Sequence, residues 1–175
     1  MAFLRRQPVE EAAAAPLANA DGFRLAMREF ASGVAIVAAG QGERRNGCTA
    51  TSLCSLSLEP PSLIVCLAKT SATLKTIRRE GAFGISLLGD GHADLADRFA
   101  GRKGLSGAAR FEDCDFIALA TGAPLLKDAV AIIDCEVEEA IERHTHAIVI
   151  GRVAAAKAFG GRPLLHWRGR SLSLS

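Results

Sequence analysis

No apolar run in this chain approaches the ~20 residues that a membrane-crossing helix needs, and no stretch of this kind points to a bilayer partner. Charge of one sign is also missing. A formal net charge of +2 spread over 175 residues gives no bulk field for nucleic acid or an anionic surface. The five cysteines, Cys48, Cys54, Cys66, Cys114 and Cys135, form no CxxC pair, and most sit in apolar contexts. Buried free thiols in a reducing compartment explain them better than disulfides or zinc. His144 and His146 have no nearby cysteine or carboxylate to complete a metal set, so no metal site is expected. Arg5 and Arg6 are followed by Glu10 and Glu11 rather than by a signal-type apolar core, so the expected location is cytoplasmic. No GxGxxG opens a helix after the first strand, and GxxxxGK[ST] and GxSxG are absent. These absences argue against a Rossmann dinucleotide site, a P-loop and a hydrolase elbow.

What is present is a β-rich chain with enough apolar residues, 49%, to build one core. Residues 1–20 are Ala-rich, with Pro8 and Pro16, and read as an N-terminal arm. Residues 21–175 read as one domain. Asp21 is the expected cap of a first helix, with Phe23, Ala26, Met27 and Phe30 on its core side and Gly33 as its stop. Strands are expected over 34–39, 47–54, 62–68, 82–88, 129–141 and 146–159, with a last one from Leu164 through Trp167. Helices are expected over 71–80 and 90–100, and Gly81 stops the first of these. The Gly-rich stretch 101–128 reads as a surface excursion. Strands that follow one another through short turns favour an antiparallel sheet closed into a barrel.

Four clusters carry chemistry. Thr49, Thr51, Ser52 and Ser55 place hydroxyls in a run that otherwise reads as a buried strand. Hydroxyls and adjacent backbone N–H groups hold ligand oxygens without a bulky charge, although half-exposed strands also use Ser and Thr. Lys69, Ser71 and Thr73 stand at a strand-to-helix junction, where unpaired N–H groups attract an anion. There Ser71 also serves as a helix cap, and Lys69 alone fits a solvated surface site. Arg98 fits a surface ion pair as well as a phosphate ligand. His146 fits a turn as well as a binding pocket.

Taken in order, the motifs resemble the flavin reductase-like family with the FMN-binding split-barrel fold. Phe23-Arg-Leu-Ala-Met-Arg-Glu-Phe-Ala-Ser-Gly-Val34 resembles its opening helix and first strand. Gly47-Cys-Thr-Ala-Thr-Ser52 is similar to its G-x-T-A-N-S motif, and Ser55-Leu-Ser-Leu-Glu-Pro-Pro61 to its S-x-S-L-x-P-P segment. Asp97-Arg-Phe-Ala-Gly101 and Thr121-Gly-Ala-Pro124 also match.

The resemblance implies a mainly β fold, a six-stranded antiparallel Greek-key split barrel with peripheral helices, assembled as a homodimer. It implies that Thr49, Ala50, Thr51, Ser52, Ser57 and Leu58 contact the flavin ring and ribityl chain. Lys69, Ser71 and Thr73 would hold the phosphate, and Arg98, Phe99 and Ala100 belong to a further flavin segment. His146 aligns with a family histidine near the nicotinamide. The implied activity is hydride transfer from NADH or NADPH to FMN or FAD, with reduced flavin passed to a separate oxygenase. Alternatives are reduction of a metal acceptor such as a corrinoid cobalt, and flavin binding without turnover. Three positions depart from the family pattern. Thr51 stands for Asn, Thr145 for Asp, and His166-Trp-Arg-Gly-Arg-Ser171 for a Tyr-rich segment.

Overall fold

A computed structural model describes residues 19–173. The expected arm therefore lies outside the described residues, apart from Asn19 and Ala20. Helix α1 spans Ala20–Arg28 and is capped by Asn19, whose side chain accepts a hydrogen bond from the Gly22 N–H at 2.6 Å. The cap is thus two residues earlier than Asp21, which lies in the first turn and pairs with Arg24 instead. The helix also ends well before Gly33. Glu29 is its C-cap, and Gly33 already belongs to a strand.

After α1 come β1 (Ser32–Gly33), β2 (Ala35–Ala39), β3 (Asn46–Ala50), β4 (Leu53–Leu58) and β5 (Pro61–Ala68). Helix α2 (Ala72–Glu80) ends at Gly81, whose φ of +67° is the left-handed conformation that glycine adopts at no steric cost. β6 (Ala82–Leu87), α3 (Ala93–Phe99), β7 (Phe116–Ile117) and β8 (Leu125–Leu126) follow. The long hairpin β9 (Ala131–Arg143) and β10 (His146–Ala158) comes next, then β11 (Leu164–Trp167) and β12 (Arg170–Ser173). The expected helix over 90–100 is divided, with a 3-10 turn at Asp90–His92 ahead of α3.

The main sheet runs β3-β2-β6-β9-β10-β5-β4, and every pairing is antiparallel. Its two edges are consecutive pieces of one chain. β3 leaves the β2 ladder at the Ala35–Ala50 pair, and Ser52 is already bonded to β5 through the Cys66 N–H at 3.2 Å. Counting β3 and β4 as one bent strand gives six strands closed on themselves, which matches the expected barrel. A smaller sheet, β1-β11-β12, flanks it.

Alternation along the strands divides the apolar residues between two cores. Ala35, Val37 and Ala39 face the barrel interior with Val65, Phe83, Ile85 and Val149. Val34, Ile36 and Ala38 face outward into a second core with Leu88, Phe99, Phe111, Leu125 and Ile132. β2 is therefore buried on both sides. Residues 101–128 supply part of this second core, since Phe111, Ala123, Leu125 and Leu126 are all buried. They are not the surface excursion that their glycines imply. The chain turns often there, yet its apolar residues point inward and cover the outside of β2.

The opposite correction applies to α1. Phe23, Met27 and Phe30 are 63%, 49% and 66% exposed, and the helix buries no residue. Its amphipathic spacing is real, but both cores are filled without it. The helix is tied down by polar contacts, from Arg28 to the Arg168 carbonyl at 3.0 Å and from Arg168 to Glu29 at 2.6 Å.

Gly47 shows how tightly the second core holds β3. A Cβ at this position would stand 2.7 Å from Phe99 Cε1 and 3.1 Å from Phe111 Cζ. Those rings meet edge-to-face at 4.9 Å and are buried, so neither can move aside cheaply. Gly47→Ala is expected to destabilise the fold by about 1–3 kcal/mol through overpacking. A urea melt with an unchanged midpoint would contradict this packing.

Candidate functional site

The motif over 47–52 places successive side chains in different surroundings because it alternates along β3 and then turns the barrel corner. Gly47 lies against the aromatic cluster. Cys48 faces the barrel interior, where burial pushes its thiol pKa up against the opposing pull of Thr73, Arg110 and Ser71. The thiol therefore stays protonated near neutral pH and is no nucleophile. Thr49 faces α3 and donates to the Ala96 carbonyl at 2.6 Å. Ala50 is buried in the interior. Ser52 donates to the Cys66 carbonyl at 2.7 Å, which fixes the corner to β5. The hydroxyls of Thr49 and Ser52 thus have structural work, worth about 1 kcal/mol per bond. Thr51 is exposed at the corner, and no described residue bonds its hydroxyl.

Two clefts meet at this corner, sharing Thr51 and His166. The smaller, about 190 Å³, is lined by Thr49, Ala96, Asp97, Ala100 and Arg102. Arg102 is held there by Asp97 at 2.7 Å. The larger, about 560 Å³, lies between α1 and the β11–β12 hairpin and includes Ser52, Met27 and Phe30. Of the residues singled out in the sequence, Thr49, Thr51, Ser52 and Ala100 are therefore brought together.

Lys69, Ser71, Thr73 and His146 form a second group around the start of α2. Ser71 occupies the cap position without a side-chain capping bond, and the first-turn N–H groups of α2 have no intrahelical partner. Lys69 lies 3.4 Å from Glu142, which also accepts from Arg78 at 2.7 Å. These two cations hold the Glu142 carboxyl below its usual pKa. The Lys69 N–H donates to the Thr145 carbonyl at 3.0 Å, and His146 pairs with Ala68 across the β5–β10 ladder. The Thr145 hydroxyl and His146 Nδ1 are 2.9 Å apart. This group adjoins the first at Cys48, where the Ser71 and Thr73 side chains pull the thiol pKa down against burial. His146 itself lines neither cleft at the Thr51 corner.

The remaining residues lie apart. Ser57, which accepts from the Glu59 N–H at 3.1 Å, and the exposed Leu58 line an apolar cleft of about 430 Å³ at β4 and β5. The Phe99 ring is committed to the second core. Arg98 donates to the Glu112 carbonyl at 2.7 Å and faces a separate cavity of about 750 Å³. Asp94, Asp113, Asp115 and Asp128 line that cavity, which makes it a poor place for a phosphate. The Thr121-Gly-Ala-Pro124 motif proves to be a clamp. The Thr121 N–H and hydroxyl both donate to the buried Asp134 carboxylate.

Sequence reasoning missed Arg102, which lies two residues after the Arg-Phe-Ala run, and the cleft side chains of α1. The signal for the latter is the apolar spacing of Phe23, Met27 and Phe30, which on its own fits a core face equally well. The donors at hand suit a flavin. A helix N-terminus beside a lysine fits a phosphate, and neutral hydroxyls at a corner between two clefts fit a polar, uncharged ring edge.

Comparison with known proteins agrees. A model of the family described as flavin reductase like domain matches residues 27–175. The chain is 38% identical over 152 residues to an FMN reductase (NADH), RutF 2, of Methylorubrum extorquens, covering 87% of each. It is 36% identical over 163 residues to the reductase component of a 4-nitrophenol 4-monooxygenase/4-nitrocatechol 2-monooxygenase of Rhodococcus opacus, covering 93% of this chain and 85% of that one. The fold matches the NADH:FAD oxidoreductase SgcE6 of Streptomyces globisporus with a TM-score of 0.81 and 28% identity, covering 93% and 99% of the two chains. The closed six-strand barrel, its ordered motifs and these likenesses place the chain in the flavin reductase-like family.

Proposed function

We propose that this protein is an NADH-dependent flavin reductase that takes FMN or FAD and supplies reduced flavin to a separate oxygenase. The observation that carries the reading is the Thr51–Ser52 corner, where two clefts meet over hydroxyls and backbone in a chain of this family. When bound, the flavin supplies the ring that accepts hydride. The chain has to hold that ring and the nicotinamide in contact, with donor and acceptor atoms about 3–3.5 Å apart. Thr51, free of other partners among the described residues, offers a donor to the ring edge. Thr49 and Ser52 keep the strand fixed behind it. Lys69, Ser71, Thr73 and the α2 N-terminus hold the phosphate, and Ala100 flanks the ligand, while Ser57 and Leu58 line a separate cleft. Arg98, Phe99 and Ala50 act from behind, through the backbone they position. No acid–base pair is required. Five free thiols suit a reducing cytoplasm.

We further propose a homodimer. The outer face of β5 and β10 supports it, because half-buried Ile64, Ile148 and Ile150 share that face, with Ile64 directly opposite Ile150. Light scattering at micromolar concentration should give twice 18.4 kDa, and a monomer would count against it.

The deciding assay follows NADH consumption by the purified chain with free FMN or FAD added. Catalytic turnover is expected. Stoichiometric flavin binding with no turnover would sink the reductase reading in favour of a binding protein, and turnover only with a metal acceptor would redirect it.

Two variants separate the ends of the site. Lys69→Ala should weaken flavin binding by about 1.5–3 kcal/mol, the worth of a hydrogen bond to a charged group. Unchanged affinity in a fluorescence titration would place the phosphate elsewhere. His146, proposed on the nicotinamide side from its family alignment, should when changed to Ala raise KM for NADH or slow hydride transfer. The flavin Kd should stay nearly unchanged. Loss of flavin binding with intact NADH kinetics would assign His146 to the flavin, and no effect on either would leave it a turn residue.

A further inference from the structure

We infer that His166 answers the charge that hydride transfer leaves behind. It is neutral while the oxidised ring is bound, takes a proton from water once the ring is reduced, and then holds the reduced flavin at the corner. The inference deepens the proposed function and rests on it, because it needs a flavin ring at Thr51.

His166 and Thr51 are the two residues that line both clefts. His166 lies on β11, the middle strand of the small sheet, directly opposite Ser32 of β1 and Ser171 of β12. Residues paired in this way project to one face of a sheet. Ser32 lines the larger cleft and Ser171 the smaller. A row of three polar side chains thus runs from one cleft to the other, with the imidazole at its centre.

His166 is half-buried, and neither ring nitrogen has a partner among the described residues. His92 and His146 differ in this respect, since their rings are bonded to Asp128 and Thr145. The charged side chains that share the clefts leave His166 no carboxylate. Asp97 is held by Arg102 at 2.7 Å in the smaller cleft. In the larger, Arg24 and Arg168 are paired with Asp21 and Glu29, and Arg28 has no carboxylate partner among the described residues. The surroundings carry a positive charge in excess, and nothing there holds an imidazolium until an anion arrives.

Hydride transfer supplies that anion. A hydride carries one proton and two electrons. The nicotinamide that gives it up gains one positive charge and leaves. The neutral ring that accepts it is left with one negative charge. An imidazole changes charge near neutral pH, so it can take one proton from water and pair with that charge. Before the transfer the imidazole offers only neutral hydrogen bonds, and its charge does not compete with stacking of the two flat rings. The proton bound in the reduced complex stabilises that complex. This gain is present at low pH and is lost as pH rises.

The test measures the Kd of FMN and of chemically reduced FMN, without oxygen, from about pH 6 to about pH 8. The full-length protein is compared with His166→Gln, which keeps a hydrogen bond but cannot charge, and with His166→Lys, which stays charged. In the unaltered protein reduced FMN should bind more tightly than FMN at the low end, and that advantage should shrink about tenfold across the range. The flavin's own protonation acts equally on all three proteins, so the comparison isolates His166. His166→Gln should lack the imidazole's share of the pH dependence. His166→Lys should keep the preference for reduced FMN at both ends. A second readout needs no turnover: the His166 imidazole NMR signal should titrate at higher pH with reduced FMN bound than with FMN bound. The inference is overturned if His166→Gln follows the unaltered protein at every pH, or if the imidazole signal titrates alike with both forms. If FMN binds and NADH reduces it while that signal is unmoved, the inference alone fails. If neither form binds at any pH, the reductase reading fails with it.

Discussion

The structure depends on a single corner. At Thr51–Ser52 one strand stops pairing with β2 and starts pairing with β5, so the two edges of the sheet become the same piece of chain. A barrel closed in this way leaves no row of unpaired N–H and C=O groups that would need covering. The closure also has a local consequence. The residue between the two ladders belongs to neither, so its side chain and backbone are free to face solvent. That residue is Thr51, and the two clefts of the candidate site open on it. Ser52, one step on, donates its hydroxyl to the Cys66 carbonyl and fixes the turn. The feature that closes the fold is thus the feature that exposes the site.

Rigidity at that corner comes from behind. β3 is pressed between the barrel interior, where Cys48 and Ala50 point, and a cluster formed by Phe99, Phe111 and Phe116. Arg110 bridges the Gly47 and Phe99 carbonyls at 2.8 and 3.1 Å, tying the strand to the end of α3. The two fully buried rings, Phe99 and Phe111, contribute roughly 1.5–3 kcal/mol each. Several residues of the recognisable motifs belong to this backing rather than to a ligand surface. The Phe99 ring, the Arg98 guanidinium and the Thr121–Asp134 clamp all act away from the corner. They bear on the corner through the backbone they hold.

The strands were legible because alternation and bounding turns encode them locally, and α2 was legible because Gly81 supplies a stop that other residues resist. Closure was legible only as a class, since nothing local in Ala50–Ser52 says that two ladders meet there. The errors have one cause. Periodicity shows that a face is apolar but not what will cover it. Phe23, Met27 and Phe30 have helical spacing and are nevertheless exposed. Phe111, Leu125 and Leu126 sit among turn-forming glycines and are nevertheless buried. β12, with its sequence Arg-Ser-Leu-Ser, has too little apolar pattern to be seen before its pairing with β11 is known. The hydroxyl run overstates the donors open to a ligand. Two of its members are consumed by carbonyls, which strand sequence alone does not reveal.

The distribution of charge around the corner follows from the chemistry it would serve. A hydride carries its electrons from one flat ring to another, and the protein's task is alignment in a space with little water. A full charge beside the rings would hold water and compete with stacking. The corner itself offers Thr51, Ser52 and backbone, with His166 beside it and the only charges of the smaller cleft, Asp97 and Arg102, paired with each other. Cations stand further out, with Lys69 near the α2 N-terminus and Arg24, Arg28 and Arg168 at the α1 cleft. Phosphates, not rings, need them. Most of these cations are already paired with carboxylates, Lys69 with Glu142, Arg24 with Asp21 and Arg168 with Glu29. Such exposed pairs are worth only about 0–1 kcal/mol each. A phosphate can therefore displace or share a carboxylate at small cost, which suits a site whose ligand must also leave.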